Sequence, residues 1–170
     1  MATQLAATLK GYFNAGDEPT EAQFAELVDT IHKPVIDLDG TTYAPTAAQS
    51  GTTFTFDGTA CAVTLPQAAV GLNYKFVFAA AAVSSTITTV TADGLAGSLL
   101  TSTAAFNNTN LSATTTVVDS WAVTIDTLTF NGTTQGGLRG SRINVVAASA
   151  TIWQVSGHNI GSGTMVTVAS

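Results

Sequence analysis

Apolar residues recur at every second position in short runs through most of this chain, and that period restricts the fold more than any other feature. Phe54 and Phe56 alternate with threonine, Cys61, Val63 and Leu65 alternate next, and Leu72, Tyr74, Phe76 and Phe78 follow. A period of two places successive side chains on opposite faces of a pleated strand, so each run reads as a strand with one buried face. Residues 87–91, 143–147, 151–155 and 164–168 supply further β-branched or apolar runs. The 30 threonines of the 170 residues reinforce the reading, because a β-branched side chain suits a half-exposed pleated surface. Trp121, Val123 and Ile125 share one parity while Leu128 and Phe130 carry the other, which predicts a bulge near Asp126 and Thr127. Asp39-Gly40, Asp57-Gly58, Asp93-Gly94 and Asn131-Gly132 are pairs that tight hairpins favour. About ten short strands separated by such turns predict a mainly β, antiparallel domain, a sandwich of jelly-roll type or a barrel. No sequence repeat is regular enough to predict a solenoid or propeller.

Charge divides the chain. Nine of its sixteen charged residues precede Gly40, which sets a boundary near residue 33: a helical arm over 1–33 and a β-rich domain over 34–170. The arm reads as two short helices. Leu5, Leu9, Tyr12 and Phe13 recur near helical spacing, and Asn14 to Asp17 stops the first helix. Thr20 and Gln23 form a capping-box pattern, after which Phe24, Leu27, Val28 and Ile31 make one apolar stripe. Helices this short are marginal alone, so the stripe must pack on something.

Charged residues make up only 9% of the chain and the formal net charge is −6. Five Lys and Arg are too few to neutralise a run of phosphates or to dock on an anionic bilayer, which argues against nucleic-acid and membrane partners. The longest apolar run, 76–83, is too short to span a membrane, no secretory signal is evident, and the single Cys61 has no internal partner.

The sites that could carry chemistry are sparse. His32 and His158 are the only residues with neutral-pH acid–base character, and neither stands at metal-ligand spacing. His32 reads as a helix terminus and His158 as part of a glycine-flanked loop, Ser156-Gly157-His158-Asn159. A triad of Ser156, His158 and an aspartate would lack the nucleophile elbow Gly-x-Ser-x-Gly. Asp37-Leu38-Asp39-Gly40 resembles part of a calcium loop, but Val35 and Thr46 stand where charged ligands are required. The stretch with Gly157, Gly161 and Gly163 has no phosphate-loop lysine, so those glycines serve turns or a close backbone approach. Asp119 and Asp126 flank one strand as a conceivable acid–base pair, and Trp121, Trp153 and Tyr43 are conceivable sugar platforms. Cys61 reads as a small buried hydrophobe. No catalytic, cofactor or metal site is expected.

Three stretches carry a family resemblance. The segment 9–24, Leu-Lys-Gly-Tyr-Phe-Asn-Ala-Gly-Asp-Glu-Pro-Thr-Glu-Ala-Gln-Phe, is similar to the opening of many tailed-bacteriophage virion proteins. Val63-Thr64-Leu65-Pro66-Gln67-Ala68 with Gly71-Leu72-Asn73-Tyr74-Lys75-Phe76-Val77 resembles them too, as does Ile152-Trp153-Gln154-Val155-Ser156-Gly157 leading into Gly161-Ser162-Gly163. The resemblance implies a non-enzymatic virion component, most like a capsid decoration (cement) protein. Such a protein would be a homotrimer bound to the major capsid protein on the outer head surface, made in the host cytoplasm. Leu5, Leu9, Phe13, Phe24, Leu27 and Ile31 are then the expected subunit or capsid contacts. The alternative is a tail or head fibre module that binds host-surface glycans; a small hydrolase acting on glycans is a more distant third.

Overall fold

The computed structural model describes residues 11–12, 16, 18–31, 33–107 and 110–162, with 30–31, 103–107 and 110–124 described through the backbone only. Among the described residues one complete α-helix, α1 (Glu21–Ile31), precedes eleven strands, and Gly11 is also helical. They are β1 (Val35–Leu38), β2 (Thr42–Tyr43), β3 (Thr53–Phe56), β4 (Ala62–Thr64), β5 (Asn73–Phe78) and β6 (Ser85–Thr88). Then come β7 (Gly94–Asn107), β8 (Asn110–Ile125), β9 (Thr127–Phe130), β10 (Arg142–Ala147) and β11 (Ile152–Gly161). A large sheet runs β1-β3-β5-β10-β11-β7-β8 and a small one runs β2-β4-β6-β9. The mainly β reading holds. Of the two expected helices the described residues contain one, and the stretch holding Leu5, Leu9 and Phe13 lies outside them.

The antiparallel expectation fails over the first half of the domain. β1, β3 and β5 pair in parallel in the large sheet, and β2, β4 and β6 pair in parallel in the small one. The chain therefore alternates between sheets, one strand in each per turn, and three such turns stack as a short coil. Asp39-Gly40 and Asp57-Gly58 are the corners where the chain passes from the large sheet to the small one, not hairpins. The same pair chemistry serves both, since a tight corner needs the same turn residues whichever sheet receives the next strand. The repeat escapes a sequence reading because stacked partners are unequally spaced along the chain: Val35 lies on Thr53, Thr53 on Lys75. The third corner also lacks the Asp-Gly pair.

In-register parallel stacking places like residues over like, and the inward rows show it. Ile36, Phe54 and Phe76 are aligned, as are Leu38, Phe56 and Phe78. The Phe54 and Phe76 rings stack at 5.5 Å and Phe56 and Phe78 at 4.6 Å. Opposite them the small sheet aligns Tyr43, Val63, Ile87 and Leu128. These rows meet in a single core with Ile143, Val145, Trp153, Val155, Leu95 and Leu99. A buried phenylalanine or tryptophan contributes about 150–250 Å² of apolar surface, so the aromatic rows dominate its stabilisation.

The second half closes the coil with antiparallel pairings. β10 pairs with β5 and β11, and β9 pairs with β6, while β11 lies parallel to β7. The parity switch at Asp126 is not a bulge inside one strand. β8 ends at Ile125 in the large sheet and β9 starts at Thr127 in the small one, so the parity changes where the chain changes sheet. The segment 156–159, expected as a loop, continues β11. Gly157 allows this: a Cβ there would lie 2.1 Å from the Arg142 carbonyl oxygen, with φ at +151°. Its role is the close backbone approach, not a turn.

Candidate functional site

Among the described residues, α1 and the outer face of the large sheet each leave large apolar side chains exposed. α1 begins as its sequence dictates. The Thr20 backbone N–H donates to Gln23 Oε1 at 2.8 Å and the Gln23 N–H donates back to Thr20 Oγ1 at 3.3 Å, a closed capping box. Tyr12 donates to Glu26 Oε2 at 2.9 Å, and this contact raises the phenol's pKa, chiefly because the donated proton is held by the carboxylate. Phe24 is nonetheless 57% exposed and Val28 48% exposed, with Leu27 half-buried. Ile31 closes the helix. Of the expected contact residues, the structure thus places Phe24, Leu27 and Ile31 together on α1, while Leu5, Leu9 and Phe13 fall outside the described residues.

The sheet face is set by register. One transverse row reads Asp37, Thr55, Val77, Arg142, His158 and Leu100, and the next reads Thr53, Lys75, Asn144, Ser156 and Ser98. Each of these strands turns its alternate residues into the core, so these point outward. The face concentrates cations: Lys75 and Arg142, two of the five Lys and Arg of the chain, lie there with His158. Val35, Val146 and Leu100 leave apolar surface exposed on it. The sequence pattern marks these as outward positions of their strands; only the non-local register shows that they form one surface.

Ser102 and His158 also meet on this face, with Oγ 2.7 Å from Nε2. They sit on adjacent strands, β7 and β11, and the contact joins two half-buried side chains on the open side of a sheet. The earlier pairing with Ser156 is not made: Ser156 points outward two residues along the same strand. His32 lies outside the described residues.

A recess of about 290 Å³ is lined by Thr91, Ala92, Asp93, Gly94, Ile125, Asp126 and Thr151. Its two carboxylates are committed to the fold. Asp93 is buried, its Oδ2 accepts from the Ala68 N–H at 2.5 Å, and its Oδ1 is closed to solvent without a partner. Asp126 Oδ1 accepts from the Thr127 hydroxyl at 2.9 Å. Asp119, the suggested companion of Asp126, is described only by its backbone, paired with Leu99. Among the described residues no three of His, Cys, Asp and Glu converge as metal ligands. Asp37 is on β1 and Gly40 at the following corner, so the calcium-loop fragment is strand and turn.

The proposed sugar platforms go elsewhere. Trp153 is wholly buried, and Tyr43 is half-buried against Phe54 at 5.4 Å, its hydroxyl accepting from Gln49 Nε2 at 2.7 Å. Trp121 is described by its backbone, opposite Gly97. Cys61 is buried in the core, where burial first, and then the negative charges of Asp57 and Asp39, push its thiol pKa up. Such a thiol is held protonated and is a poor nucleophile. Among the described residues no helix is long and apolar enough to cross a membrane. Comparison with known proteins gives no match, whether to a family model, a curated protein or a solved structure.

Proposed function

We propose that this chain is a structural protein of a tailed-bacteriophage virion, a capsid decoration protein that binds the major capsid protein on the outer head surface as a homotrimer and catalyses no reaction. The observation that carries the reading is the pairing of an exposed amphipathic helix with a broad, open sheet face. The three sequence stretches that resemble virion proteins supply the class of assembly. With so few charges, attachment rests on shape and apolar contact, and a few ion pairs fix orientation.

A fibre module that binds glycans would use exposed aromatic platforms; Trp153 is buried in the core and Tyr43 packs half-buried against it, while Trp121 is described by its backbone alone. The reading as a decoration protein is tested by fractionating purified phage heads and probing for the chain. The expected result is a band in stoichiometric ratio to the major capsid protein. Its absence from heads and from whole particles overturns the proposal.

A further inference from the structure

We propose that Asn131 is a self-modification site held closed by its own loop. Its side-chain amide converts to aspartyl and isoaspartyl forms when loop 131–137 opens, and the isoaspartyl chain cannot close the loop again. The inference goes beyond the reading as a virion protein and does not depend on it.

Asn131-Gly132 is the one Asn-Gly pair of the chain. Glycine has no Cβ to keep its amide nitrogen away from the preceding side chain. Once the Gly132 nitrogen has lost its proton it can bond to Asn131 Cγ; the bond from Cγ to Nδ2 then breaks and ammonia leaves with that proton. Water opens the cyclic imide that results. Cleavage between Cγ and the nitrogen gives aspartate. Cleavage between the Asn131 backbone carbonyl carbon and the nitrogen gives isoaspartate, whose main chain runs through Cβ and Cγ. Water is the only co-reactant, and Asn131 is half-buried at the surface.

The folded loop withholds both reacting groups. The Gly132 N–H donates to the Gly136 carbonyl at 2.7 Å, so the nitrogen keeps its proton and its place. Gly132 sits at φ +72°, where a Cβ would lie 2.3 Å from the Ala82 carbonyl oxygen, so its backbone is closely packed. Asn131 Oδ1 accepts from the Thr133 and Gln135 backbone N–H groups, each at 2.9 Å, and from the Thr133 hydroxyl at 3.1 Å. Its Nδ2 donates to Thr134 Oγ1 at 3.1 Å. Three donors on Oδ1 would favour attack on Cγ if the nucleophile were free, but Gly132 is engaged with Gly136. The loop is anchored in turn. Asn159 holds the Gly137 N–H and the Gln135 carbonyl, and the Ser162 N–H donates to the Thr133 carbonyl at 3.0 Å.

The two products differ in what they do to this network. Aspartate keeps an oxygen for the donors on Oδ1, and the Thr134 hydroxyl, which accepts from Nδ2, can turn and donate instead. Isoaspartate inserts one carbon into the main chain, so the side-chain acceptor and the Gly132 N–H no longer meet their partners together.

The experiment incubates the full-length chain at neutral pH, folded and in urea, and follows Asn131 by peptide mass spectrometry, with isoaspartate counted by isoaspartyl methyltransferase labelling. Conversion in the folded chain is expected to be slower than in urea by the hydrogen-exchange protection factor of the Gly132 N–H, because both processes need the same opening. Equal rates, a faster folded rate, or an unconverted Asn131 in urea overturn the inference. Asn159→Leu unties the loop and is expected to raise Gly132 exchange and Asn131 conversion by the same factor; faster exchange without faster conversion overturns it. A series of urea concentrations below the unfolding transition makes the same comparison on the unsubstituted chain. After removal of urea, aspartyl chains should regain protection at Gly132 and Gly136 and isoaspartyl chains should not. Protection regained by isoaspartyl chains overturns the inference.

Discussion

Phe78 on β5 and Phe130 on β9 join the two sheets, their ring centroids 5.0 Å apart and their planes inclined at 57°. The contact lies at the end of the stacked aromatic row, where Gly137 also approaches: a Cβ on Gly137 would lie 2.8 Å from the Cβ atoms of both Phe130 and Ala82. Phe130→Ala leaves a cavity at this junction and is expected to cost about 3–5 kcal/mol, read as a lowered denaturant midpoint with the slope unchanged. Gly137→Ala meets both a crowded site and φ of +82°, so it is expected to destabilise the domain as well, although it adds only a methyl group.

Asn159 ties β11 to the loop after β9. Its buried side chain accepts from the Gly137 N–H at 2.8 Å and its Nδ2 donates to the Gln135 carbonyl at 3.1 Å. Asn159→Leu removes both partners at once, leaving the buried Gly137 N–H and the part-buried Gln135 carbonyl without it. The expected cost is about 1–3 kcal/mol per group, with hydrogen exchange accelerated in residues 131–140 before the core strands.

Asp93 separates two effects that are usually mixed. Asp93→Ala deletes the acceptor for the Ala68 N–H and is expected to cost about 1–3 kcal/mol. Asp93→Asn keeps a carbonyl oxygen for that donor, with its amide nitrogen taking the place of the oxygen that has no partner. It is therefore expected to lose less than Asp93→Ala in thermal unfolding. Equal losses in the two variants would contradict this assignment.

Two groups predict opposite ends of the pH profile. Burial pushes the Tyr74 phenol up to about 12, and its hydroxyl donates to the Thr46 carbonyl at 3.0 Å. Its folded pKa exceeds the ordinary value of 10, so its contribution is complete below pH 10 and is lost as the pH rises towards 12. Tyrosinate absorbance from Tyr74 should appear only with unfolding, and Tyr74→Phe should remove that part of the alkaline loss. Asp57 works in the other direction. The Thr59 backbone N–H donates to its Oδ1 at 2.8 Å and holds its carboxyl below the ordinary range. Its contribution is present above the ordinary carboxylate pKa and fades as the pH falls through the lowered folded value. Asp57 should titrate below the ordinary aspartate value in side-chain carbonyl NMR.

Local signals in the sequence located β3 to β6, the end of β8, β9 to β11 and much of the core, whereas β1, β2, β7 and the first part of β8 were not read from it. The alternation at 54–56 and 74–78 needs no knowledge of partners, and Phe54, Phe56, Tyr74, Phe76 and Phe78 are all buried. The capping box at Thr20 and Gln23 is equally local. Pairing is non-local, and there the signals were ambiguous. Asp-Gly at 39–40 and 57–58 fits a hairpin or a corner between sheets, and the parity change at Asp126 fits a bulge or a change of sheet. Gly157 could permit a turn or a close approach, and the Arg142 carbonyl beside it decided for the second. The candidate surface was half legible. Phe24, Leu27 and Ile31 stood out as a stripe, whereas Lys75, Arg142 and His158 are far apart in sequence and become one face only through the β5–β10–β11 register.

The most direct test of the account is a cryo-electron microscopy reconstruction of the intact head. It should show three copies of the two-sheet domain around a threefold or quasi-threefold axis on the outer surface. Heads whose outer surface lacks this domain, with density for it at the tail or nowhere in the particle, would contradict it.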